Sequence, residues 1–306
     1  MGFLHILDRG IIAGIRVLPG RAMEPAFRIY NSGLKATGRS FRATTYFGAS
    51  VTCNATDLLQ MMILHFGHWE PTISRLLEKL LRPGDTFIDV GANIGYDALL
   101  GSYLVGSSGR VVSVEANPPT FRALQANLRA NGAGNVRAVN VAASDKTGEL
   151  QLYDRSGPRN TGAVTTLAPE GMPAVATVEA RPLKLILSPE ERASARLIKI
   201  DVEGAEPPIL NTILDDLDSY DPRLELIVEV SPGEDRAIWR GLFDRLKAAQ
   251  FAAYKVENSY RPGWYLKWRR PAPLEPITSL PERMTDIFFT RRSASALAAD
   301  GIVIAG

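Results

Sequence analysis

Along the middle of the chain, short apolar runs alternate with segments whose apolar residues recur every three or four positions. Phe87–Val90, Val111–Glu115, Val136–Ala142, Arg196–Asp201 and Leu224–Val230 read as strands buried on both faces, while Tyr96–Val105, Pro119–Asn131, Glu206–Leu217 and Asp235–Gln250 carry helical spacing. Such alternation predicts parallel strands joined by right-handed crossovers, an α/β doubly wound sheet. Phe251–Val256 and Met284–Thr290 supply two more strands. Between Gly148 and Ile186 the order breaks, and Gly157-Pro158, Gly162 and Gly171-Met-Pro173 separate the strands Glu149–Tyr153 and Val175–Arg181. This insertion is expected to border the substrate.

Ahead of the alternating region, Ser40–Phe47 and Ser50–Cys53 are rich in β-formers around Gly48-Ala49 and predict a hairpin. Helical spacing over Asp57–Phe66 and Thr72–Leu81 predicts two helices that roof a cleft in the sheet. Met1–Leu18 is apolar but interrupted by Asp8, Arg9 and Arg16, too short a run to cross a bilayer, and it lacks the basic start of a secretion signal. It predicts an amphipathic helix packed on the body or against a second copy, with a membrane-surface helix as the alternative. The division is then an N-terminal extension and cleft cover over 1–82, a catalytic domain over 83–292 and a tail over 293–306.

Composition narrows the partners more than the fold. A net charge of +2 over 306 residues lacks the basic bias of a protein whose main partner is a phosphate backbone, so nucleic acid is not favoured. Cys53 is the lone cysteine, which forbids an internal disulfide and a multi-cysteine zinc site and leaves cytoplasmic localisation as the expectation. His65 and His68 lie three apart without a third ligand nearby, and read as packed or surface histidines.

Chemistry concentrates where two predicted strands end. Asp85-Thr-Phe-Ile-Asp-Val-Gly-Ala-Asn-Ile-Gly95 reads as strand, turn and helix start, with unpaired amides facing the crevice above the strand ends. The glycines stand four apart with Asn93 between them, so the G-x-G-x-x-G of a dinucleotide pyrophosphate site is absent, and with it the case for a dehydrogenase. Asp89 just before Gly91 suits a positively charged ligand such as the ammonium and sulfonium of S-adenosylmethionine. A second strand ends in Glu115, placed to accept both hydroxyls of a ribose. The other concentrated stretch, Lys199-Ile-Asp-Val-Glu-Gly-Ala-Glu206, sets carboxylates and a glycine at a strand end and helix start.

Together these pieces resemble the FkbM-type family of S-adenosylmethionine-dependent methyltransferases. The likeness runs from Gly67-His-Trp-Glu-Pro71 through Phe87–Gly95, Val114-Glu-Ala-Asn-Pro118 and Ala143-Ser-Asp-Lys146 to Ile198–Glu206, about half the chain. It implies a Class I methyltransferase sheet of about seven strands with the last antiparallel, and a hydroxyl of a sugar, glycoconjugate or complex natural product as methyl acceptor. The implied donor site comprises Glu70, Asp89, Gly91, Asn93, Gly95, Glu115, Ala116, Ala142 and Asp145. Glu70, in the Trp-Glu-Pro turn, either touches the methionine end of the donor or caps the following helix.

Transfer to a hydroxyl needs a group that takes its proton, and Asp201, Glu203 and Glu229 are the candidates. A divalent ion on Asp201 and Glu229 is the less favoured route, so S-adenosyl-L-methionine alone is the expected cofactor. Tyr260–Arg270 mixes aromatic and basic residues, and alternation favours a half-buried strand with Trp264, Leu266 and Trp268 on one face. The expected partners are a small-molecule or carbohydrate acceptor and a second copy of the chain through the extension. An N-methyltransferase and a non-catalytic donor-binding scaffold are the rival readings.

Overall fold

Burial explains the strands directly, because every residue of the three central ones is buried and their apolar runs have no solvent face to serve. The computed structural model describes residues 10–155, 161–167, 171–233, 236–268 and 270–305. In chain order the strands are β1 (Ser40–Thr44), β2 (Ser50–Asn54), β3 (Thr86–Val90), β4 (Arg110–Val114), β5 (Val136–Val139), β6 (Ala142–Ser144) and β7 (Gly148–Asp154). They continue as β8 (Val164–Thr165), β9 (Ala176–Pro182), β10 (Ala195–Ile200), β11 (Glu225–Val230), β12 (Ala252–Val256), β13 (Glu275–Ile277) and β14 (Thr285–Thr290).

The main sheet has eight strands in the order β13-β12-β14-β11-β10-β3-β4-β5. From β5 through β11 the pairings are parallel, and β14 enters antiparallel between β11 and β12. This is the expected doubly wound sheet with its last strand antiparallel, carrying β13 as an additional edge. Chain order reverses at β3: β4 and β5 build to one side, β10 and β11 to the other. A crevice therefore opens between the carboxyl ends of β3 and β10, where open α/β sheets take their ligands.

One apolar layer covers each face. Helices Leu58–Phe66, Pro71–Leu80 and Tyr96–Val105 pack on the face that carries Phe87, Leu197 and Ile227, and helices Glu206–Asp215 and Arg236–Ala248 pack on the face of Ile88, Ile198 and Val228. Local sequence sets the ends of the covering helices. Asp57 caps the first by accepting from the Gln60 N–H at 2.9 Å, and Gly67 stops it in the left-handed region at φ +70°. Pro207-Pro208 sits in the first turn of Glu206–Asp215, where proline costs nothing.

The extension forms the predicted β1–β2 hairpin and two helices, residues 10–16 and Gly20–Ala36. Ile12, Ile15, Met23 and Phe27 bury against Met61, Met62, Tyr265 and Leu266, so this part of the extension packs on the body, while Met1–Arg9 lie outside the described residues. No helix among the described residues is long and apolar enough to cross a membrane.

Two strand readings need correction. Val136–Ala142 is not one strand, because the Asn140 side chain donates to the Glu115 and Ala116 carbonyls at 2.8 and 2.9 Å and turns the chain between β5 and β6. β6 then joins β9, β7 and β8 in a separate four-stranded sheet built by the insertion, whose Gly157-Pro158 lies outside the described residues. The Tyr260–Arg270 strand is instead a short helix, Pro262–Lys267, begun by a proline at its amino end. Tyr265 and Leu266, neighbours in sequence, are both buried, which a half-buried strand would not allow.

Candidate active site

The two motifs meet backbone to backbone. Gly91 leaves β3 at φ +89°, and a Cβ there would lie 1.8 Å from the Asp201 carbonyl oxygen, so both the turn and the approach require glycine. The Asp201 N–H donates to the Val90 carbonyl at 3.0 Å, and the amides of Gly91 and Ala92 both donate to the Val114 carbonyl. Asn93, held at φ +48°, gives its N–H to Glu115 Oε2 at 2.9 Å, while the Asn117 N–H meets Oε1 at 2.8 Å. Gly95, at φ +91°, then opens helix Tyr96–Val105 close against Leu124. The loop is thereby fastened to the ends of both neighbouring strands.

Register carries polar residues across the sheet in rows. Lys199 pairs with Asp89 across β10 and β3, and Glu229 pairs with Asp286 across β11 and β14. Over this edge lies a cavity of about 310 Å³. It is lined by Gly91, Asn93, Glu115, Ala116 and Ala142 towards β3 and β4, by Asp201, Glu203, Glu229, Tyr260 and Met284 towards β10 and β11, and by Leu58, Leu59 and Trp69. Gly162, Val164 and Thr166 of the insertion also reach it.

Burial dominates the electrostatics. It pushes the carboxyl of Asp89 up to about 8, with Asp97 adding to the effect, and that of Glu115 up to about 7 against two backbone N–H donors. Glu203 rises to about 7 through burial and Asp201, and Glu229 to about 10 through burial, Asp201 and Asp286. Burial likewise raises Glu70 and Asp97 against the pull of Lys199. For Lys199 burial acts the other way and is outweighed by Asp201, Asp97 and Glu70, which hold the ammonium charged. Its Nζ stands 2.9 Å from Asp201 Oδ2, 3.3 Å from Asp97 Oδ2 and 3.8 Å from Glu70 Oε2.

Eight expected site residues, Gly91, Asn93, Glu115, Ala116, Ala142, Asp201, Glu203 and Glu229, line this one cavity. Asp89, Glu70 and Gly95 stand behind its wall. Glu70, at φ +41°, accepts from Asn258 Nδ2 at 2.9 Å and from the Tyr260 hydroxyl at 3.0 Å, so it braces the wall in place of a helix-capping bond. Asp145 is not brought in: it is exposed, with Lys146 Nζ at 3.7 Å. His65 is buried against Asn31 and His68 stacks on Tyr46, so of the packed or surface roles expected of them both take the packed one. Among the described residues no group of three or more His, Cys, Asp or Glu is arranged to hold a metal ion.

Sequence reasoning gave no individual role to Asp97 or Lys199, and named Trp69 and Tyr260 only as parts of the Gly67–Pro71 element and of the aromatic and basic segment. Lys199 had one available signal, since residues two apart on a strand share a face and Asp201 was already singled out.

A family model described as Methyltransferase FkbM domain matches residues 89–255, from the aspartate beneath the glycine turn into β12. The chain belongs to this family. Family membership covers both motifs and the crevice between them. Among curated relatives, protein-L-isoaspartate O-methyltransferase 2 of Archaeoglobus fulgidus is 34% identical over 90 residues, 29% of this chain and 38% of that protein. The ribosomal protein L11 methyltransferase of Pelotomaculum thermopropionicum is 32% identical over 141 residues, 42% of this chain and 44% of that protein. The chain thus spans less than half the length of these two relatives. The solved FkbM methyltransferase of Methylobacillus flagellatus is similar at 14% identity and a TM-score of 0.43, over 86% of this chain and 59% of that one.

Proposed function

We propose that the protein is an S-adenosylmethionine-dependent O-methyltransferase acting on a hydroxyl of a sugar, glycoconjugate or complex natural product. The observation that carries the choice of acceptor is that no unpaired cation lines the cavity's far half among the described residues. Asp201, Glu203 and Glu229 line it, Lys199 is engaged by Asp201, and Arg155 stands 3.8 Å from Glu203. A carboxylate or phosphate acceptor would find no free positive partner there, whereas a neutral hydroxyl meets Asp201 as an acceptor for its proton.

The donor half fits S-adenosylmethionine. Asp97 lines the cavity and its Oδ1 accepts no hydrogen bond within the described residues, so a cationic ligand there would satisfy it. Gly91 leaves bare backbone where a ligand approaches, and Glu115 presents its carboxylate at the cavity for the ribose hydroxyls. When bound, the donor supplies an electrophilic methyl group on a sulfonium that departs as a neutral thioether. Asp201 would take the proton of the acceptor hydroxyl. Holding donor and acceptor in line would be a positioning effect worth roughly 7 to 11 kcal/mol in favourable cases. An amine acceptor is the second reading, because the same carboxylates would hold an ammonium.

Two measurements test this. S-adenosylhomocysteine should raise the melting temperature while NADH leaves it unchanged. Labelled methyl groups from S-adenosylmethionine should pass to oxygen in a panel of neutral glycosides and polyhydroxylated natural products. Preferential methylation of isoaspartyl peptide carboxylates would overturn the acceptor assignment, and label on nitrogen would select the amine reading.

A further inference from the structure

Lys199 is the lone Lys or Arg among the described residues that line the cavity, and it is 4% exposed. An ammonium taken out of water costs several kcal/mol unless it is paired, so its pairing must carry its burial. The three carboxylates around it come from separate parts of the site. Asp97 stands in the first turn of the helix that follows the donor loop, Asp201 follows β10 on the acceptor side, and Glu70 belongs to the turn that braces Tyr260. The shortest contact is to Asp201, and strand alternation points Lys199 and Asp201 the same way from β10.

The other titratable groups around Asp201 are carboxyl groups. Asp89 faces it from β3, Glu229 from β11 and Asp286 from β14, while Glu115, Glu203 and Glu206 stand on the neighbouring loops. Lys199 is the cation in contact with it, and no other Lys or Arg among the described residues lines the cavity to take its place.

We propose that Lys199 is a positioning residue: its ion pair holds Asp201 as an ionised, fixed carboxylate on the acceptor side, and its contact with Asp97 ties that carboxylate to the donor loop. This rests on the reading of Asp201 as the group that takes the acceptor proton. Charge is the property that matters, so arginine can replace it in part and methionine cannot. A lysine that served only to fill and brace the sheet edge would show no such split.

The test reads Asp201 directly. Carboxyl carbon NMR on protein labelled at aspartate, with the Asp201 signal assigned by its loss in Asp201→Asn, gives its ionisation midpoint in wild type, Lys199→Met and Lys199→Arg. The expected result is a rise of about 1 to 3 pH units in Lys199→Met, the usual effect of an adjacent opposite charge, and little movement in Lys199→Arg. A folded Lys199→Met protein with an unmoved midpoint overturns the inference. Should that variant not fold, Lys199→Met with Asp97→Asn removes one charge of each sign, and the same rise is expected of it. Turnover of Asp201→Asn on the neutral glycoside panel separates the two levels of the argument. Full activity removes the reading of Asp201, whereas lost activity with an unmoved midpoint in Lys199→Met removes Lys199 alone.

Discussion

At the scale of single residues, the site depends on contacts that admit one side chain. Gly91→Ala would place a methyl group into the Asp201 carbonyl and hold alanine at φ +89°, a left-handed backbone that alone costs roughly 1 to 2 kcal/mol. Reduced stability in urea, together with weaker S-adenosylhomocysteine binding, is the expected outcome, and wild-type values for both would show that the two motifs do not touch as described. Glu115→Ala should weaken S-adenosylhomocysteine by about 1 to 3 kcal/mol, the range for hydrogen bonds to a charged group, as read by calorimetry. If Asp201 takes the acceptor proton as proposed, Asp201→Asn should lower turnover about 10²- to 10⁴-fold while leaving S-adenosylhomocysteine affinity within a factor of a few.

At the scale of elements, the short helix Pro262–Lys267 is a keystone between the extension and the body. Leu266 is fully buried in the cluster it shares with Phe27 and Met62, so Leu266→Ala should cost about 2 to 5 kcal/mol in denaturant unfolding. A loss below that range would mean that the extension is only loosely seated. This helix was illegible in sequence because six residues are too few to establish a period, and Trp264, Leu266 and Trp268 imitate alternation. The central strands were legible for the opposite reason: burial on both faces leaves an unbroken apolar run that no surface requirement interrupts. The same contrast holds in the site. Gly91 and Glu115 announce themselves by a strand-turn-helix context within one motif, whereas Asp97 and Lys199 acquire their roles only when distant segments bring carboxylates around one ammonium. Asn140 splits a predicted strand through bonds to the Glu115 and Ala116 carbonyls, a tertiary cause that pattern alone does not contain.

At the scale of the whole molecule, the excess of buried carboxyl groups gives stability a definite pH dependence. Asp286, Glu115, Glu203, Glu206, Asp89 and Glu229 are raised to about 6, 7, 7, 7, 8 and 10, chiefly by burial, from ordinary values near ~4 in the unfolded chain. The native state therefore holds protons that the unfolded state gives up, and the stability linked to them is complete below about pH 4 and lost as pH climbs through these midpoints. The melting temperature of the free protein should fall between about pH 6 and pH 9; a flat or rising curve would show that these groups ionise freely. The long-range closures of the fold bear on a different matter, the order in which the chain comes together. Arg16 donates to the Tyr265 carbonyl across 249 residues, and the Glu70 N–H reaches the Tyr265 hydroxyl across 195. During synthesis the helices of the extension emerge long before Tyr265 and Leu266, which complete the cluster that Phe27 and Met23 begin with Met61 and Met62. Contacts so distant in sequence form late and slowly, so the acid-lined wall braced by Glu70 is among the last parts of the molecule to be completed.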